Sequence, residues 1–322
     1  MRNALNSSIA AYAALFLTWS SAAKCQATMA WPKPVILTVA FPAGGVTDGI
    51  ARRLAIEIGR NIGQDIVVEN KGGAGGNLGA QSVARSAPDG RALLFVSAGP
   101  AAINKLIYKN MQIDPEVDLA PIVLVGLIPQ IIVTKRQLPI QTLQDFVDYG
   151  KKNPGQLSIG NSGVGTSAHI TAVLFALQTG IDVVHVPYRG TAPLTTDLLG
   201  GQIDAGFPGF FPQTSELKML AVTSKARLDA LPDVPTVTET GVTNLVAGLW
   251  MGLMGPAGLP DPMIKRINKI VNDYLRTGEA QKLASTFGMR VMGGSPEEMR
   301  EYVRSEIKRF EPIIQNSGIS LN

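Results

Sequence analysis

The stretch VILTVAFPAGGVTDGIAR, Val35 to Arg52, sets the plan of the chain. It opens on β-branched and apolar residues (Val35, Ile36, Leu37, Thr38, Val39), passes through Phe41-Pro42-Ala43-Gly44-Gly45, and resumes as a helical pattern from about Thr47. The order is strand, glycine turn, helix. Glycines in such a turn permit positive φ and let a ligand approach the backbone. The first N–H groups of the following helix have no intrahelical acceptor and favour an anion. The stretch also fits a plain βα connection at the start of an α/β domain.

Outward from that unit, Ile66 to Asn70 reads as a second strand, followed by Lys71-Gly72-Gly73-Ala74-Gly75-Gly76-Asn77 and a helix from Gly79 to Ser86. Pro88-Asp89-Gly90 is a turn signal, and strand Ala92 to Val96 leads into Ser97-Ala98-Gly99-Pro100. The apolar run Leu119 to Val133, interrupted by Gly126 and Pro129, is expected to carry the first crossing between two domains. A helix from Leu143 to Lys152, strand Leu157 to Ile159 and the loop Gly160-Asn161-Ser162-Gly163-Val164-Gly165-Thr166-Ser167 repeat the opening plan, with His169 on the helix that follows. Strand Val183 to Val186, the loop Pro187 to Thr191, a helix around Leu194 to Leu199 and strand Leu220 to Val222 come next. Leu249 to Met254 is the expected return crossing, and two amphipathic helices after Pro262 close the chain. Strands alternating with helices predict an α/β protein with mainly parallel sheets and binding loops at the carboxyl ends of the strands. The expected domains are 28–126 plus 248–322 and 127–247, with a ligand cleft between them.

At 322 residues the chain has room for two domains. Hydrophobic residues at 45% and charged residues at 17% describe a globular protein. The 29 basic and 25 acidic residues are dispersed, without a dense Lys/Arg tract, so no nucleic-acid partner is expected. Residues 1–27 have the form of a secretory leader, with Arg2, an apolar core from Ile9 to Trp19 and cleavage expected after Ala27. The apolar core is shorter than the roughly 20 residues a membrane span needs. The only cysteine, Cys25, follows Lys24, where a lipoprotein acceptor site wants a small residue. A mature chain without cysteine has neither a disulfide framework nor a thiolate metal site.

Enzyme motifs fail in turn. Ser162 lies in Gly160-Asn161-Ser162-Gly163, but a nucleophile elbow needs glycine two residues after the serine, where Val164 stands. Gly163-Val164-Gly165-Thr166-Ser167-Ala168 fits a dinucleotide fingerprint formally, yet Asp182, 14 residues beyond Ala168, comes too early to serve as the acidic ribose partner. His169 and His185, without matching carboxylates, make no metal site. What remains is a set of neutral, donor-rich turns at strand ends: Phe41 to Asp48, Ser97 to Ala101, Asn161 to His169 and Arg189 to Thr191. Hydrogen bonds from such turns to a carboxylate contribute about 1.5–3 kcal/mol each. A few of them, with apolar packing, reach the roughly 8 kcal/mol of micromolar affinity.

These turns lie in the blocks FPAGGVTDGIARRL (41–54), GQDIVVENKGGAGGNLGA (63–80), APDGRALL (87–94), NPGQLSIGNSGVGTSAH (153–169), VPYRGTAPLTTDLLGGQID (186–204), RLDALPDVPTVTETG (227–241) and WMGLMGPAGLP (250–260). In that order they closely resemble the Bug family of periplasmic solute-binding proteins, the extracytoplasmic receptors of tripartite tricarboxylate transporters. The resemblance runs from about Val35 to the carboxyl end. It implies a two-domain Venus-flytrap fold of type II, and a ligand carboxylate clamped between the domains largely by backbone amides and bridging waters. It also implies a periplasmic location, no cofactor, a monomer, and a membrane permease as partner, or a sensor kinase if the receptor serves signalling. Carried over residue by residue, the site comprises Phe41, Ala43, Gly44, Val46 and Asp48 from the first loop, with Asp48 organising the turn. Asn161, Ser162, Gly165, Thr166 and His169 come from the second, where His169 either bonds the loop backbone or touches the ligand. Ser97, Ala98, Ala101, Gly190, Thr191 and Phe207 line the variable part. Arg189 meets either a second carboxylate or a surface ion pair. Between Phe207 and Leu220 the chain is shorter than the family pattern, which bears on the pocket floor and hinge.

Overall fold

The computed structural model describes residues 31–209, 216–242, 245, 247–317 and 319–321. The chain divides into Met1–Trp31 and Pro32–Asn322, and every element named below belongs to the second unit. The expected leader, Cys25 and most of the shortened segment after Phe207 (210–215) lie outside the described residues.

The opening stretch folds as read: strand β1 (Val35–Val39), then helix α1 (Val46–Ile62). Ile50, Leu54 and Ile58 recur at helical spacing and are buried. The helix ends at Gly63, whose left-handed backbone (φ 76°) returns its N–H to Gly59 O. Strand β2 (Ile66–Asn70), helix α2 (Asn77–Ala84) and strand β3 (Ala92–Ser97) follow. Gly79 lets α2 sit on the end of β1, since a Cβ there would lie 2.8 Å from Lys71 O and 2.9 Å from Ala40 Cα. After β3 the chain does not stay a loop. It winds through a π-helical turn at Gly99–Ile103 into the short helix α3 (Asn104–Ile107).

Helix α4 (Pro115–Asp118) precedes the long strand β4 (Leu119–Pro129). Gly126 does not end the strand, which runs on to Pro129, although the pairing with β10 shifts register between Gly126 and Leu124; Met289 fills the space a Cβ on Gly126 would take. The chain passes to the second sheet at Gln130, entering β5 (Ile131–Lys135). Helix α5 (Leu143–Lys152) starts with a capping box in which Thr142 and Asp145 exchange hydrogen bonds. Strand β6 (Leu157–Asn161), helix α6 (Ser167–Thr179), strand β7 (Val183–Pro187), helix α7 (Thr191–Leu199) and strands β8 (Ala205–Gly206) and β9 (Leu217–Val222) complete this half. The return runs through β10 (Gly248–Pro256) to helices α8 (Asp261–Leu275) and α9 (Gly278–Thr286), strand β11 (Arg290–Gly293) and helix α10 (Pro296–Ser317).

The first sheet has the order β11-β4-β10-β3-β1-β2 and the second β7-β6-β8-β5-β9. Two sheet-and-helix halves therefore form an α/β fold, as expected. The mainly parallel character holds only in part. β1 pairs parallel with β2 and β3, and β6 with β7 and β8, but every pairing of β4, β5 and β10 is antiparallel. Parallel pairing belongs to the βα units, whereas strands that carry the chain between sheets leave and return in opposite directions. At the crossing, Thr223 Oγ1 accepts from Gln130 N–H at 2.9 Å and donates to Ala247 O at 2.6 Å, fastening the two connecting segments together.

Each sheet is covered on both faces. In the second, Ile131 and Val133 pack with Leu194 and Leu198, while Ile132 points the other way toward the cluster of Phe146, Phe175 and Phe207. That alternation is the pleat of a fully buried strand.

Candidate functional site

The first loop is a fixed, outward-facing turn built on one carboxylate. Asp48, in the first turn of α1, is 4% exposed. Its Oδ2 accepts from Gly44 N–H and from Arg52 Nε, each at 3.0 Å, and its Oδ1 accepts from Asn70 Nδ2 at 2.9 Å. Asn70 Nδ2 also donates to Phe41 O at 3.0 Å, and Arg52 donates to Asn70 Oδ1 at 3.1 Å. Phe41 and Val46 are half-buried, whereas Ala43 and Gly44 are exposed. Asp48 thus holds the turn from within. Sequence reading missed Asn70 and Arg52, its two side-chain partners.

Burial pushes the Asp48 carboxyl up. The Arg52, Gly44 and Asn70 hydrogen bonds and the Arg52 charge outweigh it and hold the pKa below the ordinary value. Stability from a depressed carboxyl is present above its unfolded pKa and is lost as pH falls through the folded one. Asp48→Asn is therefore expected to lower stability at neutral pH by about 1.5–3 kcal/mol and to flatten the acid limb of the stability profile. Denaturant unfolding of both proteins from neutral pH down through the carboxylate range would show it; parallel profiles would contradict this role.

Helix α1 opens at Gly45, which makes no side-chain cap bond, so its leading N–H groups are not closed off by a cap. Helix α7 begins the same way after Gly190 (φ 112°). The space where a Cβ would project is open at Gly44 and at Gly190. Helix α6 differs. Its N-cap Thr166 Oγ1 accepts from His169 N–H at 3.3 Å and donates to Gly163 O at 2.7 Å, and Ser162 Oγ donates to it at 3.2 Å. That helix start is already partly satisfied, and its attraction for an anion is correspondingly smaller.

The second loop lies beside the third. Gly190 N–H donates to Ser162 O at 3.2 Å and Tyr188 N–H to Asn161 O at 2.9 Å, bringing Asn161, Ser162, Gly190 and Thr191 together. His169 Nδ1 accepts from Gly165 N–H at 3.4 Å, so it does bond the loop backbone. Burial, with the neighbouring His185 second, lowers its pKa to about 4, and the ring is neutral at physiological pH.

Between the first and second loops stands a layer that the sequence did not reveal. A Cβ on Gly76 would lie 3.3 Å from Ala40 O, and one on Gly75 would lie 2.9 Å from Val164 O and 3.4 Å from Gly165 Cα. On Gly99 it would lie 2.7 Å from Gly165 O, and on Gly165 (φ +80°) 2.6 Å from Asn104 Oδ1. Backbone from the two halves therefore meets at glycines on both sides. Asn104, fully buried, ties this layer by donating to Gly75 O at 3.1 Å and Asn77 Oδ1 at 2.7 Å.

The remaining expected residues lie deeper. Ser97 is 2% exposed, and Ala98 and Ala101 have no exposed surface. Phe207 is 1% exposed and packs edge-on to Phe175 with ring centroids 6.0 Å apart. Arg189 is exposed and forms no ion pair among the described residues. A groove of about 540 Å³ between α8, α9 and β11 contains none of the expected site residues. Among the described residues no cluster of three or more His, Cys, Asp or Glu side chains is placed to hold a metal, and no helix is long and apolar enough to cross a membrane.

Similar proteins bear on this arrangement. The family model described as "Tripartite tricarboxylate transporter family receptor" matches residues 50–319. Protein BugT of Bordetella pertussis is 32% identical over 295 residues, 90% of each chain. The solved periplasmic binding protein BugD superposes with a TM-score of 0.82 at 33% identity, over 90% of this chain and 99% of its own. Rpa4515 of R. palustris, solved with adipate, gives 0.84 at 31% identity over the same shares. Two sheets joined by antiparallel crossings, glycine turns at the strand ends and a match over most of the chain agree: this chain belongs to the tripartite tricarboxylate transporter receptor family, periplasmic binding proteins that include the Bug proteins and are receptors, not enzymes.

Proposed function

We propose that this receptor captures a small carboxylate in the cleft between its two sheet-and-helix halves and presents the closed form to the membrane permease of a tripartite tricarboxylate-type transporter. The observation that carries the reading is the pair of glycine-started helices α1 and α7, neither closed by a side-chain cap, with open space in front of Gly44 and Gly190. Such ends offer N–H groups and a favourable dipole to a carboxylate without a charged side chain. The adipate held by Rpa4515 gives the same chemical class.

In this reading the halves are those expected, 28–126 plus 248–322 and 127–247, with the first boundary moved to Gln130 because β4 continues through Pro129, and they close about the Gln130–Thr223–Ala247 crossing. Phe41, Ala43, Gly44 and Val46 face the ligand from one side, and Ser162, Thr166, Gly190 and Thr191 from the other. The exported protein is cleaved near Ala27 and acts as a monomer. Arg189, beside the start of α7, meets a second carboxylate when the ligand carries one. Arg189→Gln is then expected to weaken dicarboxylates about tenfold or more, the value of a lost charge-assisted hydrogen bond, and to leave monocarboxylates unchanged. Calorimetric titration of both ligand types measures this; equal losses for the two would remove Arg189 from the site.

The overall reading is tested by thermal unfolding against a panel of mono-, di- and tricarboxylates. A ligand present at about 100 times its Kd should add about 2.7 kcal/mol of stability. No stabilisation by any member of the panel would overturn it.

A further inference from the structure

Both histidines of the chain meet in one place, and the cleft does not account for it. The pleat of β7 sends Val186 and Tyr188 to one face, where they pack with Leu194 and Leu198 of α7, and His185 and Pro187 to the other. On the His185 side is a cavity of about 450 Å³, bordered by Asn161, Val164, His169, His185, Pro187 and the chain end Ile319–Leu321. That chain end is fastened in place: Leu321 N–H donates to Ile107 O at 2.7 Å, and Lys109 N–H to Leu321 O at 2.9 Å.

Two side chains bordering this cavity each carry a polar atom without a partner among the described residues. Asn161, with no exposed surface, bonds Gly163 N–H through its Oδ1 at 3.1 Å and leaves its Nδ2 unused. His185 Nδ1 is likewise buried without a partner. The two imidazoles stand edge-on with centroids 6.3 Å apart. Because His169 Nδ1 accepts from Gly165 N–H, the neutral ring carries its proton on Nε2. The lining includes no Lys, Arg, Asp or Glu; besides Asn161 and the two histidines it consists of Ser320 and the apolar Val164, Pro187, Ile319 and Leu321. Unpaired donors buried in such surroundings are costly unless an acceptor reaches them.

We propose that this cavity is a second binding site, taking an apolar small molecule with a single carbonyl or carboxylate oxygen. Asn161 Nδ2 and His169 Nε2–H hold the oxygen, and the apolar body lies against Val164, Pro187 and the chain end. Asn161 and His169, which the resemblance places at the cleft, line this cavity instead, while Ser162 and Thr166 of the same loop stay beside Gly190 and serve the cleft. With neutral side-chain donors only, and α6 capped by Thr166, the site suits a neutral carbonyl as well as a carboxylate, whereas the cleft relies on the uncapped starts of α1 and α7. The proposal rests on this cavity and not on the cleft reading.

Since the protein has two imidazoles only, their nitrogen resonances in ¹⁵N-labelled protein report on this cavity directly. Titration with benzoate and, separately, with its neutral counterpart benzamide is expected to shift the His169 resonances saturably with both probes. Ser320→Trp and His185→Trp, which fill the cavity from opposite walls, should abolish the response, and Gly44→Val in the cleft should leave it intact. Absence of a saturable shift with both probes would overturn the proposal. So would a shift that persists in both cavity-filling variants, or one that disappears in Gly44→Val, because the probes would then be bound elsewhere.

Discussion

Gly99→Ala is expected to weaken carboxylate binding by roughly five- to hundredfold while leaving the unliganded fold nearly as stable as before. The added methyl would lie 2.7 Å from Gly165 O and 3.1 Å from Gly75 O, both backbone atoms that cannot swing aside. Overpacking of this kind costs about 1–3 kcal/mol, and each 1.4 kcal/mol is about tenfold in affinity. The larger penalty, against Gly165 O, falls on the approach of the two halves because Gly99 follows a strand of the first sheet and Gly165 one of the second. The milder contact with Gly75 O, in the same half as Gly99, is the small part borne by the unliganded protein. Calorimetry for the affinity and thermal unfolding of the ligand-free protein separate the two effects. An unchanged affinity would mean that this glycine contact is no part of the bound form.

Gly44→Val should remove binding altogether. Gly44 has φ +82°, where a β-branched residue is strained by roughly 1–2 kcal/mol. The larger effect is steric. Nothing lies within 4 Å of the position a Cβ would take, so a valine side chain would project into the space assigned to the ligand carboxylate. Its N–H bond to Asp48 is the local anchor of the turn, and the strain would disturb the neighbouring N–H groups as well. Circular dichroism should show an intact fold, and titration no detectable heat. A variant that binds as tightly as the original protein would move the carboxylate away from this turn.

Much of this architecture is readable from local sequence because local chemistry dictates it. The turns at Phe41–Gly45 and Asn161–Thr166 follow short apolar strands and precede periodic helices, and both fold as strand, turn and helix. Asp48 could be read as a turn organiser because it stands in the first turn of a helix. Its partner Asn70 could not, since it lies 22 residues away on a neighbouring strand and only the β1–β2 register, Val39 opposite Asn70, brings it in. The same applies to Asn104 and Gly75, which belong to one half yet touch the loop of the other. Nothing local to either distinguishes a glycine needed for a turn from one needed for close approach. The antiparallel crossings were hidden for a related reason. Strand direction is a property of the long-range path, and an apolar strand such as β4 reads alike in either pairing. Of the two residues that interrupt the apolar run, Pro129 ends β4 just before the crossing, whereas Gly126 makes room for Met289 and marks only a shift of register.

The central claim is that backbone N–H groups at uncapped, glycine-started helices hold the ligand carboxylate. Amide proton–nitrogen spectra of the protein saturated with a carboxylate that stabilises it test this most directly. The prediction is that the Gly45, Val46 and Thr47 amide protons move downfield together and become protected from exchange, with Thr191 responding from the opposite side. Saturated binding that leaves these four amides unmoved would contradict it.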